Sequence, residues 1–225
     1  MRSELTNQLQ ENFIASPAGE VKLTFAIERM FMRPFLFIGA VIFILYLFLP
    51  RSEIAHAHGV LAPDEPVQRE LFTASLREKN GYRITSVATF DIRARVIAAA
   101  RYHFGREADL SPVDLVLGWG AMSDSNVLKQ ISFSQSGRAY TWWAKALPIP
   151  RDMIESHSAN MHMIPVNSEI EKQLKSIRPG NMVHLKGLLV EVISKEGWRW
   201  KSSLTRTDTG GGACELIWVE SLFVW

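Results

Sequence analysis

The stretch Y-R-I-T-S-V-A-T-F-D-I-R-A-R-V, residues 82–96, decides how most of this chain is read. Tyr82, Ile84, Ala88, Phe90, Ile92, Ala94 and Val96 alternate with Arg83, Thr85, Thr89, Asp91, Arg93 and Arg95. Successive side chains of a pleated strand point to opposite faces, so this pattern makes one face apolar and the other charged. It reads as a half-buried antiparallel strand, or a bent pair of strands.

Outward from that stretch the same period recurs. Residues 129–143, K-Q-I-S-F-S-Q-S-G-R-A-Y-T-W-W, alternate around Ser136-Gly137, an expected hairpin turn. After the turn signal Pro179-Gly180, M-V-H-L-K-G-L-L-V-E-V-I runs as a strand. Gly197-Trp198-Arg199-Trp200-Lys201 alternates aromatic with basic, and C-E-L-I-W-V-E-S-L-F-V-W closes the chain as a strand. One helix interrupts them. Ser168-x-x-Glu171 is a capping box, Ile170, Leu174 and Ile177 share a face, and Glu171 and Lys175 stand four apart. The expected fold is therefore mainly β with one short helix (α+β): a small antiparallel barrel, OB-like, or a sandwich. R-P-G-N-x-V-x-L-K-G (178–187) reads like the start of an OB strand, a fold-level analogy.

Ahead of this domain lies an apolar run, F-L-F-I-G-A-V-I-F-I-L-Y-L-F-L, from Phe35 to Leu49. Fifteen residues rise about 22 Å as a helix, short of a hydrocarbon core of roughly 30 Å. Arg33 and Arg51 can snorkel, and Phe31, Met32 and Pro34 extend the apolar length. A buried core helix would carry a polar face, and this run has none. The expected organisation is a cytoplasmic tail with an amphipathic segment (1–33), a transmembrane helix (34–50), a linker (51–66) and an extracytoplasmic β-rich domain (67–225). Lys22, Arg29 and Arg33 precede the run and only Arg51 follows it closely, which puts the N-terminus inside. Ala55-x-Ala57 has the arrangement that signal peptidase reads, but Arg51 and Glu53 sit close to it, so an uncleaved signal-anchor is expected.

Composition limits the chemistry. The chain has 225 residues, 47% of them apolar, and a net charge of +2. The single Cys214 excludes an internal disulfide and any zinc site built on several cysteines. Residues 58–225 hold 20 Lys and Arg against 18 Asp and Glu, too even a balance for a nucleic-acid footprint.

Five constellations bear on candidate chemistry. In H-S-A-N-M-H-M-I-P (157–165), His157 and His162 are five apart, an offset that suits a shared metal on neither a helix nor a strand. Ser156, Ser158 and Asn160 read there as a turn that caps its own backbone, and Pro165 as a bar to central ladder pairing beyond Ile164. Cys214 with His157 or His162 and Asn160 supplies the residue types of a cysteine hydrolase. Gly118-Trp119-Gly120 with Met122 and Asp124 is a loop that could present an aromatic to a partner, the competing reading being a Trp119 folded back onto the core. Trp198, Arg199 and Trp200 form a second candidate binding surface, read more simply as a strand with one buried face. Asp208-Thr209-Gly210 matches the aspartic-protease triplet, but the polar residues before it do not fit that loop.

G-W-G-A-M-S-D (118–124), H-S-A-N-M-H-M-I-P (157–165) and W-R-W-K-S-S-L-T-R-T-D-T-G (198–210) resemble strings of a group of uncharacterised bacterial membrane-anchored proteins. That resemblance implies a bacterial envelope setting and no particular reaction. The expected function is a single-pass inner-membrane protein whose periplasmic domain binds or scaffolds an envelope partner, without cofactor or nucleic acid. The alternative is a periplasmic hydrolase using Cys214 with His157 or His162.

Overall fold

The 82–96 alternation belongs to one strand longer than the stretch that reveals it. The computed structural model describes residues 38, 39, 41, 53–205 and 212–225. Strand β3 runs Tyr82–Arg101 and is flanked by β1 (Val67–Glu70) and β2 (Leu76–Lys79), both antiparallel to it. Then follow β4 (Val113–Gly118), a 3₁₀ turn (Gly120–Ser123), helix α1 (Ser125–Leu128), the hairpin β5 (Ser132–Ser136) and β6 (Ala139–Trp143), and helix α2 (Arg151–Ser156). Strand β7 (Ser158–Pro165), helix α3 (Ser168–Ser176), β8 (Met182–Ile193), β9 (Arg199–Lys201) and β10 (Glu215–Val224) complete the order.

A twenty-residue strand exceeds the usual three to ten, and it bends to serve two neighbours. Residues 83–95 pair with β8 and residues 95–101 with β4, with register shifts between Ser86 and Ala88 and between Val96 and Ala98. Each shift inserts a residue and turns the apolar side to a different face. Ile84 accordingly packs with Leu188, Val190 and Trp218 in an outer cluster, whereas Ala88, Phe90, Ile92, Ala94 and Val96 face the main core. The ladders then form a circuit: β3 to β4, β4 to β7, β7 to β10 in parallel, β10 to β8, and β8 back to β3.

Helix α3 sits between β7 and β8, and Ile170, Leu174 and Ile177 pack into the main core, the face that their spacing indicates. Its cap lies one residue earlier than the sequence suggests: Asn167 Oδ1 accepts from the Ile170 N–H at 2.9 Å. Lys175 reaches Glu171 across one turn. Two further helices contradict the expectation of a single one. At four and six residues, α1 and α2 are too short to show a helical period in sequence. The mainly β architecture is as expected.

Residues 51–225 form one compact unit. The segment read as a linker is held on that unit from residue 53 onward. Glu53 pairs with Arg95 at 3.0 Å, the Ile54 N–H donates to Pro179 O at 2.9 Å, and His56 Nε2 lies 2.6 Å from Gly180 O. Among the described residues no helix is long and apolar enough to cross a membrane. The run 35–49, where a span is expected, lies outside them except for residues 38, 39 and 41, which are helical.

Gly180 is where this strap closely meets the turn that precedes β8. Its φ is +88°, and a Cβ there would stand 2.2 Å from the Ile54 carbonyl oxygen. Gly180→Ala should therefore cost more than the roughly 1–2 kcal/mol of a left-handed alanine, because the strap backbone must also move. A Tm lower by about 4–8 °C, with faster proteolytic cleavage near residue 54, is the expected result of thermal unfolding and limited digestion. An unchanged Tm would contradict this packing.

Candidate functional site

Asp114 is the origin of the site. In β4, Val113, Leu115 and Leu117 point into the main core, and strand alternation turns Asp114 to the opposite side, where it is still wholly buried. A buried carboxylate is costly unless paired. Arg138 Nη1 donates to Asp114 Oδ1 at 2.8 Å and to Ser111 O at 2.8 Å. His162 Nδ1 lies 3.0 Å from Asp114 Oδ2, a close ion pair set off the line of an ideal hydrogen bond.

Each partner arrives by a specific local device. Gly137 and Arg138, at φ +57° and +68°, form the two-residue turn between β5 and β6, one position later than the expected Ser136-Gly137. A left-handed arginine is uncommon. Here its guanidinium also lies 3.8 Å from the centre of the Tyr102 ring and 5.6 Å from that of Trp200. The hairpin is thereby fastened over the outer face of the sheet.

His162 comes from β7, and here the turn reading of 157–165 is corrected. Residues 158–165 form an interior strand paired with β4 on one edge and β10 on the other. Pro165 is tolerated because it is the last residue of the strand, beyond the β4 ladder, which starts at Met163. The turn ends at His157. Ser158, Asn160 and His162 share the outer face, while Met161 and Met163 enter the core.

Asn160 extends the array. Its Oδ1 accepts from Gln135 Nε2 at 2.8 Å, and its Nδ2 donates to Arg138 O at 3.0 Å and towards Cys214 Sγ at 3.6 Å. The partly exposed Cys214 thiol also points to Arg138 O at 3.9 Å, and it stands just before β10, whose Leu216 pairs with His162 of β7. Burial works against a charge on His162, but the neighbouring Asp114 carboxylate and Cys214 sulfur outweigh it and raise the imidazole pKa to about 9. Asp114 is the innermost of these groups, with the Arg138 guanidinium on one of its oxygens and the His162 imidazole on the other.

The thiol forms part of the wall of a cavity of about 730 Å³. Tyr140, Trp142, Trp143 and Leu147 line it with apolar surface, and Ser158, Asn160, Cys214 and Glu215 are among its polar lining. Arg151 at the rim is already paired with Glu155 at 2.9 Å and lies over Trp142.

Of the residues singled out in the sequence, Cys214, His162 and Asn160 are brought together. His157 stands apart: its ring bonds Ser156 Oγ and Met153 O, and its Nε2 lies 3.1 Å from Glu65 Oε1. Trp119 is 1% exposed, with its indole N–H donating to Glu65 at 2.8 Å. Met122 is buried with Ile131 and Ile154, and Asp124 caps α1 by accepting from the Asn126 N–H. Trp198 packs edge-on against Tyr82, Trp200 against His162, and Arg199 pairs outward with Glu191. Among the described residues no group of three or more His, Cys, Asp or Glu side chains is placed to hold a metal ion. Sequence reasoning misses Asp114, Arg138 and Gln135. The signal for Asp114 is a lone acid inside the apolar run V-D-L-V-L.

Two outcomes are expected. Asp114→Asn leaves two buried cations without their carboxylate and should destabilise the domain by roughly 3–5 kcal/mol, measured by denaturant unfolding. The second concerns pH. His162 holds its proton more tightly folded than unfolded, so its contribution is complete below about pH 6.5 and is lost as pH rises through about 9. The stability advantage of the wild type over His162→Gln should shrink across that window, and a constant difference would refute the assignment.

No family model, curated protein or solved structure matches this chain, so its chemistry is read from these side chains.

Proposed function

We propose that this chain is a membrane-anchored ligand-binding protein of the bacterial envelope, whose aromatic cavity takes an apolar group of an envelope partner. The carrying observation is the cavity itself. Its volume, about 730 Å³, falls within the range of ligand sites, and its walls combine aromatic surface with a small polar end. Trp143 and Leu147 beside it are 66% and 52% exposed, although each is large and apolar. Such side chains, one on the fastened hairpin and one in the loop after it, gain by being covered.

The fold part of this reading is a small barrel of the OB type. Its support is the circuit of five ladders with a helix between the third and fourth strands of that circuit. The setting is supported by the apolar run 35–49 and by the excess of Lys and Arg before it, which favour a single span with residues 53–225 on the periplasmic side. The lining favours an uncharged apolar group over an anion, because the guanidinium of Arg151 is already matched by Glu155 and Glu215 adds a further carboxyl group to the walls.

A photoreactive phenylalanine analogue placed at Trp143 or Leu147 in living cells tests this reading. Irradiation should give adducts with an envelope component from both positions, reduced by the second substitution Trp142→Ala. The same analogue at Lys186, outside the cavity, should give none. Adducts formed equally from Lys186, or formed only with cytosolic molecules, would overturn the proposal.

A further inference from the structure

The cavity has one wall that a binding role does not require. Cys214 stands in its wall beside Asn160, His162 is on the adjoining strand β7, and Asp114 is paired with that imidazole. A cysteine alone means little. Here, however, the thiol stands across the β7–β10 ladder from an imidazole that is 4% exposed and itself paired with a wholly buried carboxylate. The carboxylate is in turn held by Arg138, and the amide of Asn160 points one N–H at the sulfur. That is the order of nucleophile, proton carrier, orienting group and oxyanion donor that acyl transfer requires.

We propose that Cys214 is the nucleophile of an acyl-transfer site acting on a carboxylic ester or thioester whose apolar acyl group lies in the aromatic cavity. This inference rests on the cavity being a binding site. The sulfur, its proton held on the His162 imidazole, adds to the carbonyl carbon, and the carbonyl π electrons move to oxygen. Asn160 Nδ2, already directed at the sulfur, donates to that oxyanion. Collapse of the tetrahedral species breaks the bond to the alcohol or thiol leaving group, which takes the proton from the imidazolium and departs. The acyl group is left on Cys214 as a thioester. Water then adds to it while the imidazole accepts a proton from that water. Expulsion of the sulfur releases the carboxylic acid and restores the starting pair. No oxidant or reductant enters. Asp114 touches no substrate and acts as a positioning residue that holds the ring against the sulfur.

The choice of substrate follows from the walls. Tyr140, Trp142, Trp143 and Leu147 offer aromatic and aliphatic surface, so a longer acyl chain should react better than acetate. At roughly 0.8 kcal/mol per buried methylene, each added carbon is worth about three- to fourfold until the cavity is filled.

The test uses the full-length protein in detergent with p-nitrophenyl hexanoate as the probe, read by intact mass and by nitrophenol release. The wild type should gain one hexanoyl group on Cys214, and Cys214→Ala none. His162→Gln should slow acylation by roughly 10²-fold or more. Asn160→Ala should slow acylation while leaving alkylation of Cys214 by iodoacetamide near the wild-type rate. Because His162→Gln could unfold the site, the pH–rate profile of iodoacetamide alkylation in the wild type and in Asp114→Asn gives a second reading. A shifted profile in Asp114→Asn supports the positioning role, and an unmoved one contradicts it. Equal nitrophenol release from wild type and Cys214→Ala, or no hexanoyl adduct, overturns the proposal. Quenching of tryptophan fluorescence by hexanoate amide in Cys214→Ala separates the two claims. Saturable quenching without acylation in the wild type refutes the chemistry and leaves the cavity as a binding site. No quenching refutes both.

Discussion

The carboxyl group of Asp114, wholly buried on the outer side of the β-sheet, is the constraint on which the rest depends. A charge in that position is tolerable only with partners at hydrogen-bonding distance, and the fold supplies two from opposite directions. Arg138 descends from the tip of the β5–β6 hairpin, and His162 stands on the neighbouring strand β7. Satisfying the one carboxylate thus fixes the hairpin over the sheet. The space beneath the hairpin becomes the cavity, and the second cation becomes the imidazole beside Cys214. Structure and site share one cause.

The long strand β3 makes this arrangement geometrically available. Its two register shifts let one continuous segment pair first with β8 and then with β4, so that the circuit of ladders returns on itself. The interior is filled by the apolar faces of five strands and by α3, leaving the outer faces of β4 and β7 to carry polar groups. Side chains of alternating parity therefore have different duties on the same strand: Met161 and Met163 build the core, and Asn160 and His162 build the site. The outer apolar cluster with Trp198 and Trp200 shields the imbedded histidine from solvent on another side.

How much of this could be read in the sequence depended on the length of the pattern involved. The alternation of 82–96, the run 182–193 and the closing strand are long enough for period two to stand out, and each is a strand. The face of α3 is legible for the same reason, whereas its cap is displaced by one because Asn167 and Ser168 are both competent caps. The segment 157–165 misleads because its serine, asparagine and proline suit a turn, although Ala159, Met161 and Met163 alternate with Ser158, Asn160 and His162. Cys214, His162 and Asn160 were recognisable as residue types, but their meeting depends on the parallel pairing of β7 with β10, which no local pattern encodes. Asp114 and Arg138 are distant in sequence and meet only through the hairpin turn, so nothing in either neighbourhood announces the pair.

A double-mutant cycle between Asp114 and Arg138 measures the central claim directly. Asp114→Asn, Arg138→Met and the double variant are compared with the wild type by denaturant unfolding of the full chain. A buried, hydrogen-bonded pair that fastens the hairpin predicts a coupling free energy of roughly 1.5 kcal/mol or more, with the double variant far less damaged than the sum of the singles. Additivity within about 0.5 kcal/mol would mean that the two side chains do not depend on one another. The cavity, the buried imidazole and the placement of Cys214 beside it would then lose their common support.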